Sequence, residues 1–357
     1  MKIAIVNQHR DDSMGGSELQ CDLLAKTLTG FGHQIVYIVP GGKQNEYNTP
    51  YTVIPCERRG EDLSKRVIEH QPDILYWRFN RNEFYASVKP IRESGIPVVF
   101  ASSHLNDHKP WLLKKGVELK QQVKFLINNR LEFRGFNYVD GFTVNNREFL
   151  NRVSHSNKIY IPNGMVTDHV EFEWDRPYCL WVANLKQPKR PELFIQLAEE
   201  LNGNGIDFLM AGAIQDSGYD WVNNKSKLPG NVHYVGARSF EEINGMMKNS
   251  MFHVHTCVPE GFPNIFLQAW QFGKPSVSYG YDPSGFIQKH KLGYYSDNDW
   301  NTFLNQVNSL MNDADLRTRL GGNARRFSGT EFSIEKSAKL LESFLKTVLS
   351  SVNSANE

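Results

Sequence analysis

Short runs of β-branched and aromatic residues alternate along the chain with stretches whose apolar positions recur at helical spacing, a pattern that predicts βαβ units and parallel sheets. In the first half, Lys2–Val6, Ile35–Val39, Ile74–Trp77, Val98–Ala101 and Gly141–Val144 predict strands, with helices over Ser17–Leu28, Glu83–Glu93 and Trp111–Phe133. After Pro162-Asn163-Gly164 the periodicity lapses into a polar stretch carrying Asp168, Glu171, Glu173 and Asp175. The rhythm then restarts. Strands are predicted at Tyr178–Ala183, Asp207–Ala211, His233–Val235, Phe252–His255 and Ser276–Ser278. Helices are predicted at Arg190–Leu201, Phe240–Lys248, Asn264–Phe272, Asp299–Met311, Asp315–Arg326 and Ser333–Leu349. The expected organisation is one Rossmann-like doubly wound domain over 1–165, a linker over 166–176, a second such domain over 177–330 and a helical segment over 331–357.

Size agrees with this division, since 357 residues exceed what one hydrophobic core of ~250–300 residues holds. Lys and Arg number 40 against 39 Asp and Glu, a net charge of +1, so no global field draws the chain onto nucleic acid. The four cysteines (Cys21, Cys56, Cys179, Cys257) show no CxxC spacing, which argues against a zinc knuckle or disulfide framework and fits a reducing, cytoplasmic setting. No apolar run approaches the ~18 residues of a membrane span, and the first is too short for a secretion signal.

Charge divides unevenly: residues 1–165 hold 22 Lys/Arg against 17 Asp/Glu, leaving 18 against 22 for the rest. Within Asp107–Arg134 seven basic residues face three acidic ones and alternate with large apolar side chains. A solvated helix face and a surface for an anionic membrane or acceptor are both consistent with that pattern.

Candidate chemistry collects at strand-to-helix turns. Gly15-Gly16 opens the first helix, where a backbone without side chains can approach an anion. In the second half, Asn184 begins a loop that places Lys189 and Arg190 at a helix start, where a bound phosphate would offset unfavourable positive charge. A third turn, Glu260-Gly261-Phe262-Pro263-Asn264-Ile265, leads into a helix with Gln268 one turn beyond Asn264. Neither GxGxxG nor GxxxxGK[ST] occurs, which removes motif support for a dinucleotide dehydrogenase or a P-loop NTPase. Asp297-Asn298-Asp299 and Asp313-Ala314-Asp315 mimic a metal motif, yet each directly precedes a helical run and reads as a cap.

Taken in order, the Gly-Gly loop, Pro162-Asn163-Gly164, the lysine-bearing loop, Glu260-Gly261-Phe262-Pro263-Asn264 with a polar residue eight positions on, and Gly273-Lys274-Pro275-Ser276-Val277 resemble the retaining family-4 glycosyltransferases. The resemblance covers nearly the whole chain. It implies the GT-B fold, two Rossmann-like doubly wound domains facing across a deep cleft, with the terminal helix packing back on the first. It also implies metal-independent, retaining transfer of a hexose from a nucleotide-diphosphate sugar such as a UDP-sugar to a glycan or lipid-linked acceptor. That activity serves cell-surface polysaccharide synthesis at the inner face of the membrane, with no cofactor beyond the co-substrate.

Position by position, the resemblance makes Lys189 the diphosphate's stabiliser, Glu260 the partner of donor-sugar hydroxyls and His104 the first-domain histidine near the reacting carbon. Donor contacts are implied for Gly15, Gly16, Asn184, Arg190, Gly236, Arg238, Gly261, Phe262, Pro263, Asn264, Ile265 and Gln268. Two positions depart from the family's pattern: Asn184 stands where Arg is usual, and Gln268 replaces the second carboxylate of a paired-Glu motif. Two other readings stay open: another use of the same fold, a GT-B nucleotide-sugar epimerase, and a non-catalytic protein that binds nucleotide sugar or glycan, which the departures at Asn184 and Gln268 support.

Overall fold

The computed structural model describes residues 1–13, 15–44, 46–102, 107, 118–258 and 262–356, side chains excepted at 148, 149, 355 and 356. Two compact units divide the chain: Met1–Gly164 with Ile334–Glu357, and Met165–Ser333. Unit 1 runs β1 (Lys2–Val6), α1 (Gly16–Gly30), β2 (Gln34–Pro40), β3 (Thr52–Cys56), α2 (Gly60–Glu69), β4 (Ile74–Trp77), α3 (Phe84–Glu93), β5 (Val98–Ser102), α4 (Leu119–Phe133), β6 (Gly141–Val144), α5 (Arg147–Leu150) and β7 (Lys158–Tyr160). Its strands form one parallel sheet in the order β3-β2-β1-β4-β5-β6-β7, with Ile3 opposite Ile35 on one side and Ile74 on the other. Helices covering both faces bury Ile3–Val6 and Ile74–Trp77 completely, which is why these strands read as unbroken apolar runs.

Unit 2 runs β8 (Tyr178–Val182), α6 (Pro191–Glu200), β9 (Asp207–Ala211), β10 (Val232–Tyr234), α7 (Phe240–Asn249), β11 (His253–His255), α8 (Asn264–Gln271), β12 (Ser276–Ser278), α9 (Phe286–His290), β13 (Gly293–Tyr295), α10 (Trp300–Asn312) and α11 (Ala314–Glu331). The sheet order is β10-β9-β8-β11-β12-β13, again parallel, around a core of Trp181, Phe194, Phe208 and Phe252. Strand order therefore reverses between β8 and β11, and between β1 and β4 in unit 1. Open α/β sheets bind ligands in the crevice beyond the carboxyl ends of the strands at such a point.

The stretch expected as a linker, 166–176, is instead a strap bound along α7. Val170 N–H donates to Glu241 O at 3.0 Å and Asn244 Nδ2 donates to Asp168 O at 2.7 Å. At Gly245 an added Cβ would lie 1.8 Å from Val170 O, so this approach requires glycine. A final helix, α12 (Ile334–Asn356), returns to unit 1 and packs on α1. There Gln20 exchanges two hydrogen bonds with Gly164 backbone, at 2.7 and 2.8 Å, and Ser337 donates to Pro162 O at 2.8 Å. Pro162-Asn163-Gly164 is thereby clamped from two helices, with Asn163 also accepting from Arg78 Nη2 at 2.9 Å.

Candidate functional site

Two loops meet at the reversal point of unit 2, one following β8 and the other following β11. The first ends in a 3-10 turn, Gln187–Lys189, and Arg190 caps α6 with a left-handed backbone of φ 50°. Thr256 joins the loops: its hydroxyl lies 2.9 Å from Lys189 O and 3.0 Å from Arg190 O, and it receives Trp181 Nε1–H at 2.9 Å. Val258 N–H donates to Pro188 O at 3.0 Å. Arg190 closes the lock from the other direction, with Nε donating to Thr256 O at 2.6 Å and Nη2 to Cys257 O at 3.1 Å. Its guanidinium also lies 5.2 Å from the Tyr279 ring.

Arg190 thus holds two carbonyl groups of the loop that follows β11. Lys189, half-buried at the lip of the same turn, contributes positive potential that helps hold His255 far below its usual range. Burial is the larger cause, and His253 adds to it. Burial likewise brings His253 down to about 3, so both rings are neutral at physiological pH. His253 and His255 share a face of β11 and bond through Nδ1 to Ser276 and Ser278, at 3.1 and 3.3 Å.

Across the lock, Pro263 caps α8 and the first turn holds Asn264 and Ile265, where N–H groups lack intrahelical acceptors and the helix dipole is positive. Phe262 is buried, its ring 5.5 Å from Phe332 and 6.0 Å from Phe286. Glu260, Gly261 and His104 lie outside the described residues.

The loops after β9 and β10 complete the same sheet edge. Asn184 Oδ1 accepts Ala213 N–H at 3.4 Å, tying its side chain to the β9 loop. Gly236, at φ 80°, accepts Gly212 N–H at 2.9 Å. Arg238 donates to Val235 O and Glu242 Oε1, both at 3.1 Å, and so braces the Ser239–Glu242 capping box of α7.

Gln268 is buried, with Nε2 donating to Asn244 Oδ1 at 2.9 Å. Asn244 in turn spends its amide hydrogens on the 166–176 strap, so the neutral amide at 268 is matched to a fixed acceptor. In unit 1, Gly15 caps α1 and Gly16 is its first residue, as the turn pattern requires. The Glu18 carboxylate folds over Gly15, where a Cβ would meet its Oε2 at 2.1 Å, and burial raises its pKa.

Thr256, Tyr279 and Asn244 were not legible as site residues. Asn244 alone leaves a trace in sequence, a polar residue on the buried face of α7 beside Ile243 and Met247.

Residues 168–327 match the family model described as Glycosyl transferases group 1. No relative was found among curated protein sequences. Among solved structures, sucrose-phosphate synthase from Thermosynechococcus elongatus superposes with a TM-score of 0.79 at 14% identity, over 98% of this chain and 100% of that one. Anabaena HepE, solved with UDP and glucose, gives 0.76 at 15% identity over 97% and 100%. WaaG, a glycosyltransferase involved in lipopolysaccharide biosynthesis, gives 0.68 at 12% identity over 95% and 98%. The fold is GT-B, two Rossmann-like units in tandem, and the segment that matches the family model lies within unit 2.

The buried amide pair of Gln268 and Asn244 yields a test. In Gln268→Glu a carboxylate would face Asn244 Oδ1, or Asn244 would turn and release the strap, a loss of about 1–3 kcal/mol at neutral pH. Because the buried acid's folded pKa would rise, the deficit should shrink as pH falls and its protonated form donates. Chemical denaturation at pH 7.5 and 5 checks this, and equal stability of parent and variant at both values would refute the pairing.

Proposed function

We propose that the protein transfers a hexosyl group from a nucleoside-diphosphate sugar to a glycan or lipid-linked acceptor, with retention and without a metal ion, in building a cell-surface polysaccharide. The observation that carries this reading is the juxtaposition at the reversal point of unit 2. Lys189 stands on a turn bonded to the loop that leaves β11, and α8, the next helix in the chain, begins with the positive end of its dipole; a diphosphate would need both. HepE was solved with UDP and glucose, and WaaG acts in lipopolysaccharide biosynthesis, which supports the donor class and the pathway class.

In the proposed reaction the bond from the anomeric carbon to the diphosphate breaks, and the bond to the acceptor oxygen forms on the same face. The acceptor's proton passes to the departing phosphate. Negative charge grows on the diphosphate, so a fixed lysine and aligned N–H groups lower the barrier. The metal-free reading is supported by Asp299 and Asp313, which cap α10 and α11 by accepting Thr302 and Leu316 N–H, both at 2.7 Å. Asp297 accepts the Tyr295 hydroxyl at 2.7 Å.

A membrane-facing acceptor is supported by α4. Leu119, Val123, Ile127 and Leu131 form a stripe at i, i+4 spacing, 81, 47, 62 and 41% exposed. Lys120, Lys124 and Arg130 are exposed along the same side, and α4's single acid, Glu132, lies on the inward side. An apolar stripe flanked by cations suits the interface of an anionic bilayer. Lys109, Lys114 and Lys115 lie outside the described residues. Among those described, no helix is long and apolar enough to cross a membrane.

Lys189→Ala should lower turnover about 10²–10³-fold, the scale for losing one charge-stabilising donor, while stability stays within about 0.5 kcal/mol. Excess EDTA should leave the parent's rate unchanged. Transfer from a radiolabelled UDP-sugar measures both; full activity in Lys189→Ala, or loss in EDTA with rescue by manganese, contradicts the assignment.

For α4, replacing Leu119, Lys120, Lys124 and Ile127 together by Ser should release the protein from phosphatidylglycerol vesicles in a sedimentation assay. Each basic residue there contributes about 1 kcal/mol. Equally weak binding of parent and variant, or dimerisation of the parent through the stripe, would remove the membrane from the account.

A further inference from the structure

A cavity of about 770 Å³ lies at the far edge of the unit 2 sheet, lined by β13, the end of α9 and one face of α11, with Gln306 from α10. We propose that it binds a small phosphate monoester, as a site separate from the two loops joined at the reversal point. None of its lining belongs to those loops, and the inference does not depend on the transferase reading.

The volume is within the ~300–1,000 Å³ usual for small-ligand pockets. Leu316, Arg319, Leu320 and Asn323 stand at i, i+3, i+4 and i+7, so a single face of α11 supplies an apolar floor and two polar groups. Both leucines are buried. A second cation, Lys291, enters from the end of α9.

Lys291 is pinned there. It closes α9 in a left-handed backbone, φ 53°, a conformation usually left to glycine or asparagine. Its carbonyl accepts Asn323 Nδ2–H at 3.2 Å, and Asn323 Oδ1 in turn accepts from Arg326 Nη2 at 2.8 Å. Arg317 is likewise occupied by the protein itself, donating to the carbonyls of Leu310 and Met311. The Lys291 ammonium and the Arg319 guanidinium have no such duty: among the described residues neither makes a hydrogen bond or ion pair.

β13 adds donors. It pairs only with β12, and the bonds from Ser276 N–H to Leu292 O and from Ser296 N–H to Ser278 O set the register. In a parallel pair that register turns Tyr294 toward β12 and leaves the N–H groups of Gly293 and Tyr295 on the open edge that borders the cavity.

Charge fits a dianion. The lining holds two cations and no carboxylate, and the stretch that forms it, α9 to α11, is described without a gap. Of the acids nearby, Asp282 accepts Ile287 and Gln288 N–H at 2.8 and 3.2 Å, and Asp297 is bonded by the Tyr295 hydroxyl. Asp315 stands one turn before Arg319 on α11, exposed. A planar fork, an ammonium and two N–H groups match the oxygens of a phosphate, while Leu316 and Leu320 take the carbon skeleton of its ester. A neutral ligand would leave both cations unpaired.

The test is calorimetric titration of full-length protein with glycerol 3-phosphate and ribose 5-phosphate, with glycerol and ribose as their neutral counterparts, and with inorganic phosphate. At least one ester should bind, more tightly than inorganic phosphate and far more tightly than its neutral counterpart. In Lys291→Gln/Arg319→Gln, whose parent side chains are exposed, its affinity should fall at least about tenfold, as expected for two lost charge-assisted contacts. The same ester should bind Lys189→Ala as it binds the parent, and the thermal shift caused by UDP should be the same in the double variant as in the parent. Absence of ester binding, equal binding of the neutral counterpart or of inorganic phosphate, or indifference to the double substitution would overturn the proposal. Loss of ester binding in Lys189→Ala would overturn it as well, by placing the phosphate at the reversal point.

Discussion

The hydrogen-bonded lock between Arg190 and Thr256 is the constraint on which the candidate site depends. Two loops from strands far apart in sequence must present a lysine and a helix start to one small volume, and neither loop has a core of its own. Arg190 supplies charge-assisted bonds to Thr256 O and Cys257 O, while the Thr256 hydroxyl reaches back to the carbonyls of Lys189 and Arg190. Each loop satisfies polar groups the other would otherwise bury unpaired. The left-handed backbone at Arg190 lets the chain turn directly into α6 and is held by this mutual bonding.

From the lock follows an electrostatic pattern. Residues 166–357 carry more acidic than basic side chains, yet the reversal point is locally positive through Lys189, Arg190 and the α8 dipole. The neighbouring histidines stay neutral because burial strips their cations of hydration, so they add no charge of their own. Asn184 and Gln268 then lose their appearance as defects. The first bonds the β9 loop and the second anchors Asn244, which holds the 166–176 strap, so both polar groups stabilise the frame around the donor-facing edge.

Central strands were legible because burial on both faces leaves an unbroken apolar run, as in Ile3–Val6 and Ile74–Trp77. The strands that escaped notice, β3, β7 and β13, are all sheet edges. β3 carries Pro55 and has no fully buried residue, and β7 and β13 span only three residues each, so neither length nor pattern marks them. Lys189 and the α8 start could be read from charge and Gly/Pro punctuation at strand-to-helix turns. The roles of Arg190, Phe262 and the 166–176 stretch could not, because each depends on a tertiary partner that sequence spacing does not display. A guanidinium beside a phosphate and one beside carbonyls look the same in one dimension.

The account's central claim is that the reversal point of unit 2 is built for a diphosphate. Thermal shift of the parent protein with UDP, UMP and uridine at equal concentration addresses it directly. A ligand at 100 times its dissociation constant adds about 2.7 kcal/mol to stability. The account predicts stabilisation that is largest with UDP, smaller with UMP and least with uridine. Equal shifts from all three, or none from UDP, would contradict it.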